Sequence, residues 1–153
     1  MRTFVLFAGI AGMSIWSSLL AQNPPLPSLN LPEGEGSWVM RITTSGGFTG
    51  QGRGDATLTS LGERNCSQSS VNCSSQLTGE KLQSLKDTAL RLEPGKWMTV
   101  VSYCNDCFIT TVVFLRRENG NEKSYSVTWA DTNKTGVPAE LVRIVESALT
   151  GKW

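Results

Sequence analysis

Apolar and polar residues alternate over Ser37–Thr44. Trp38, Met40 and Ile42 share one parity, and Ser37, Arg41 and Thr43 the other. A period of two marks a half-buried strand. The pattern stops at Ser45-Gly46-Gly47-Phe48-Thr49-Gly50-Gln51-Gly52, a glycine-dense reversal, and resumes over Asp55–Ser60 with Ala56 and Leu58 facing inward. The two segments form a hairpin with an unusually long glycine loop. Residues 62–76 are polar and serine-rich and read as a loop. Leu82, Leu85, Ala89 and Leu92 then recur at helical spacing, after Thr78 as a cap and Glu80 in the positive first turn. Pro94-Gly95 ends that helix.

Trp97–Tyr103 is apolar and reads as extended. Phe108–Arg117 is the strongest strand, apolar on both parities, as strands inside a sheet are. Asn119-Gly120 is a hairpin-turn signal. After it, Tyr125, Val127 and Trp129 alternate with Ser124, Ser126 and Thr128. Pro138 suits the first turn of a last helix, whose stripe is Leu141, Ile144, Val145 and Ala148, and Gly151 closes it. The order is ββαββα: two hairpins, each followed by a helix. The expected class is α+β, an antiparallel sheet with helices packed on one face.

The N-terminus follows a different logic. Arg2 precedes an uncharged, mostly apolar run from Phe4 to Leu20, then Ala21 and the polar Gln22-Asn23. This is the layout of a signal peptide over residues 1–21. The run lies at the short edge of what spans a bilayer and is interrupted by glycines and serines, so cleavage is expected rather than a retained anchor. No cysteine stands near the cleavage point to carry a lipid. Residues 22–36 hold Pro24, Pro25, Pro27 and Pro32 and read as a semi-extended spacer. The single domain is 37–153. The chain is expected to be secreted or periplasmic, with no membrane attachment after cleavage, and monomeric.

Composition narrows the chemistry. There is no histidine among 153 residues, which removes Ser-His and Cys-His nucleophile pairs, histidine-ligated zinc and a histidine pH switch. Glu and Asp are scattered, with no acid–base pair in sight. No enzyme, cofactor or metal is expected. Fourteen basic and 13 acidic side chains give a near balance, which speaks against a nucleic-acid partner. Losing Arg2 with the signal makes the two counts equal.

Cys66, Cys73, Cys104 and Cys107 are expected to be disulfide staples. A four-cysteine zinc site is the alternative, but six residues separate the first pair, and an exported chain meets an oxidising compartment. Redox catalysis by Cys104-Asn105-Asp106-Cys107 would need a helix N-terminus, whereas a strand follows. Three connectivities are open. Arg53-Gly54-Asp55 matches a cell-adhesion tripeptide, and Asn65, Asn72 and Asn133 open glycan acceptor patterns; all are short enough to arise by chance.

Val39-Met40-Arg41-Ile42 running into Ser45-Gly46-Gly47-Phe48-Thr49-Gly50 resembles the start of emfourin-type proteins, small bacterial inhibitors of thermolysin-like metalloproteases. The later plan is similar too: a leucine-spaced helix, a hairpin from Phe108 to Trp129, and Val137-Pro138-Ala139-Glu140-Leu141 opening a last helix. The resemblance spans about residues 38–149, and this chain adds a signal peptide, a spacer and four cysteines. It implies inhibition of a thermolysin-like metalloprotease, with Ser45, Gly46, Gly47, Phe48, Thr49 and Gly50 as the partner-binding residues. A non-inhibitory module of the cell envelope is the alternative. Phe48 is the only large apolar side chain between Ile42 and Leu58, and nothing in its loop alternates with it. It can therefore project outward or tuck into the core.

Overall fold

Nine residues from Trp38 to Gly46 form β1, the longest strand of the N-terminal half. In the computed structural model, residues 29–68, 71–100 and 105–153 are described. β1 is followed by β2 (Asp55–Thr59), β3 (Glu63–Gln68), β4 (Val71–Gln76) and α1 (Gly79–Arg91). A 3₁₀ turn over Pro94–Lys96 leads toward β5 (Phe108–Glu118), β6 (Asn121–Ala130) and α2 (Ala139–Thr150). The strands make one sheet in the order β4-β3-β2-β1-β5-β6, every neighbouring pair antiparallel.

The expected α+β class with ββαββα order is thus corrected: among the described residues the order is ββββαββα, and the fold is mostly β, one six-stranded antiparallel sheet with two helices. Glu63–Gln76, expected as a loop, is a second hairpin that extends the first into a four-stranded meander. Its polar composition hid it. β3 pairs with β2 through Ala56↔Cys66 and Leu58↔Arg64, so its inward positions are Cys66 and Arg64 rather than aliphatic residues. Of Trp97–Tyr103, expected as extended, only the first four residues are described, and Trp97 is extended. Trp97 caps the 3₁₀ turn, Val100 makes one isolated bridge to Trp129, and residues 101–104 lie outside the described residues. The signal segment and residues 22–28 lie outside them too.

One face of the sheet carries the core. Trp38, Met40, Ile42, Leu58, Val112, Phe114, Val127 and Trp129 meet Leu85, Ala89 and Leu92 of α1 and Leu141, Ile144, Val145 and Ala148 of α2. Phe114 sits between Trp38 and Trp97, with ring centroids 5.8 and 5.9 Å away, in tilted contacts of the kind aromatic quadrupoles favour. Arg64 is buried in this side of the molecule. Its guanidinium donates to the carbonyls of Ala148 and Leu149 at the end of α2, where helix carbonyls lack partners and the dipole is negative. Gly151 closes that helix at φ 75°. Thr78 stands at the N-cap of α1, yet its side chain makes no capping bond.

The β5–β6 turn is Asn119-Gly120, both at positive φ (53° and 74°), as a two-residue hairpin turn requires. Glu35 accepts hydrogen bonds from both turn amides, at 2.7 and 3.1 Å, and Gly36 donates to the Arg117 carbonyl. The segment just before β1 is therefore fastened to the far end of the sheet. The opposite end, where β1 and β5 meet at Gly46↔Phe108, carries the glycine loop. No helix among the described residues is long and apolar enough to cross a membrane.

Candidate binding loop

β1 ends by pairing Ser45 with Ile109 and Gly46 with Phe108, so the loop leaves the sheet beside the start of β5. Hydrogen bonds hold its shape. The Gly47 amide donates to the Cys107 carbonyl at 3.0 Å, the Gly50 amide to the Gly47 carbonyl at 2.9 Å, and the Gly52 amide to the Gly46 carbonyl at 3.0 Å. Thr44 closes the base: its hydroxyl donates to the Gly54 carbonyl and accepts from the Arg53 amide, both at 2.6 Å. These bonds pin a segment without regular secondary structure at both of its arms and across its tip.

Sequence dictates two of these positions. Gly47 lies at φ 73°, and a Cβ there would run into the Phe108 ring. Gly50 lies at φ 71°, with open space where a side chain would stand. Most L residues at either position, asparagine and aspartate being the tolerant ones, resist the backbone conformation, and at Gly47 any side chain also meets a neighbour.

Phe48 stands between these glycines and is 95% exposed. The other large apolar residues on the described surface, Leu61, Leu90 and Met98, are 54–61% exposed. A phenyl ring so exposed gains nothing from folding, while it can remove its full apolar surface from water on meeting a partner. Ser45, Thr49 and Gln51 are exposed around it.

Beneath the loop, the Arg53 guanidinium lies 4.3 Å from the Phe108 ring centroid and pairs with Asp131 at 3.1 Å. Both contacts tie the returning arm of the loop to β5 and the end of β6. Asp131 also donates its amide to the Phe108 carbonyl at 2.9 Å. The structure therefore brings Ser45, Gly46, Gly47, Phe48, Thr49 and Gly50 together at one tip and adds Thr44, Arg53, Phe108 and Asp131 as supports. In the sequence Arg53 stands out only inside an adhesion-like tripeptide. Its contacts are non-local, and no spacing announces them.

The cysteines divide between two places. Cys66 and Cys73 face each other across β3 and β4, Cα atoms 4.9 Å apart, and are disulfide-bonded. Cys107, under the loop, is disulfide-bonded as well, and Cys104 lies outside the described residues. Among the described residues no group of three or more histidine, cysteine, aspartate or glutamate side chains could hold a metal ion. The groove between α1 and α2, about 340 Å³, is open and lined by Glu80, Lys81, Arg143 and Trp153, a mixed set with one carboxylate.

No protein-family model matches this chain, no curated protein matches it, and no solved structure matches it.

Proposed function

We propose that this chain is an exported binding protein, secreted or periplasmic, that inhibits a thermolysin-like metalloprotease through the Ser45–Gly50 loop. The observation that carries the reading is Phe48, 95% exposed at the tip of a loop pinned by backbone hydrogen bonds at Gly47, Gly50 and Gly52. Such a loop loses little conformational freedom when it docks, so more of the contact energy survives as affinity. The resemblance of the β1–loop sequence to emfourin-type inhibitors supports the choice of partner, because thermolysin-like proteases accept a large apolar side chain just after the bond they cut. Phe48 is the anchor, the glycines allow close approach of the backbone, and Arg53 and Asp131 hold the loop against the sheet.

The test is titration of the mature chain against thermolysin with a fluorogenic peptide substrate. Stoichiometric loss of activity that heat-denatured protein does not produce is the expected result. No loss at micromolar concentration removes the inhibitor reading and leaves a non-inhibitory envelope module.

A further inference from the structure

The loop has the composition of a substrate and the backbone of a non-substrate. A protease that takes a large apolar side chain on the carboxyl side of the scissile bond would direct its water at the Gly47–Phe48 amide. Hydrolysis there consumes one water, breaks the C–N bond, and leaves a carboxylate on Gly47 and an amine on Phe48. Attack requires the Gly47 carbonyl to be presented to the metal and the flanking chain to lie in a near-attack geometry. In the free protein that same carbonyl accepts the Gly50 amide at 2.9 Å, the Gly47 amide is held by the Cys107 carbonyl at 3.0 Å, and the chain doubles back through φ 73° at Gly47 and 71° at Gly50.

We infer that the Gly47–Gly50 turn presents Phe48 to such a protease as a bound but uncut substrate mimic, the turn being what protects the Gly47–Phe48 bond. The inference rests on the inhibitor reading and adds to it the bond addressed and the reason it survives. Gly50 is the informative position. Its Cβ direction is open, so in the free protein a side chain there strains φ without meeting a neighbour.

Full-length mature wild type, Gly50→Ala and Gly50→Asn are each incubated with thermolysin, and residual protease activity and fragment masses are followed over time. Asparagine tolerates the left-handed region and alanine does not. Wild type should inhibit and stay intact, and Gly50→Asn, whatever its affinity, should be cut between Gly47 and Phe48 no faster than wild type. Gly50→Ala should be cut between Gly47 and Phe48 at least about ten-fold faster than wild type, any inhibition it gives fading as the bond is lost. A folded Gly50→Ala that is cut no faster than wild type overturns the inference, as does first cleavage at another bond. If Gly50→Ala does not fold, wild type and Gly50→Asn decide: loss of either by cutting at Gly47–Phe48 while inhibition fades overturns it. Wild type that neither inhibits nor is cut sinks the inhibitor reading itself, a separate and visible outcome.

Discussion

A phenylalanine side chain carries about 150–250 Å² of surface, and burying it from water contributes roughly 1.5–3 kcal/mol. Phe48 leaves that stabilisation unused in the folded chain, being 95% exposed. Its neighbour Gly47 does the opposite work and adapts the backbone to the Phe108 ring beneath. Gly47→Ala should therefore lower folding stability by about 1–2 kcal/mol from the φ penalty alone, with more from the clash, and a denaturant melt would register it. Phe48 was legible in sequence as the only large apolar residue between Ile42 and Leu58, although its exposure was not. The Arg53–Phe108 stack was invisible, since residues 55 positions apart meet only once the β1–β5 register is known.

Among the elements, the β3–β4 hairpin is the one that sequence concealed. Alternation needs apolar residues to show itself. Here the inward positions of β3 are Arg64, committed to the end of α2, and Cys66, committed to a disulfide. The two exceptions explain each other once the sheet is seen, since an arginine on the core face is affordable only because two helix carbonyls receive it. Arg64→Met should cost about 1.5–3 kcal/mol in unfolding free energy, because the carbonyls lose a charged donor. The Cys66–Cys73 bridge closes a short ring at the sheet edge, and replacing both cysteines by serine should cost about 2 kcal/mol by the same measurement. At the other edge, Lys123 hydrogen-bonds Glu118 at 2.9 Å and, with Arg116 nearby, holds the carboxyl below its ordinary value. A depressed folded-state pKa stabilises above the ordinary carboxylate pKa and is lost as pH falls through the folded value. An NMR titration should place the Glu118 midpoint below that of an ordinary glutamate, and Lys123→Gln should move it upward.

Taken whole, the molecule is a six-stranded antiparallel sheet with its core under α1 and α2, and its ends are dressed differently. At one end Glu35 clips the segment before β1 onto the Asn119-Gly120 turn. At the other, Thr44, Cys107, Phe108 and Asp131 hold a loop that offers a single aromatic ring. The hairpins β1–β2 and β5–β6 and both helices could be read from periodicity because their inward residues are aliphatic or aromatic. The sheet order could not, because nothing in a strand's own sequence names its neighbour. The central claim is that Phe48 serves a partner rather than the core. It is tested most directly by measuring thermolysin inhibition and thermal stability of Phe48→Ala together, with Leu85→Ala as the buried control. Phe48→Ala should weaken inhibition by about 30-fold or more, the mark of a hot-spot anchor, with little change in melting. Leu85→Ala should lose about 2–5 kcal/mol of stability and still inhibit where folded. A Phe48→Ala protein that melts far below wild type and inhibits equally well when folded would contradict the account.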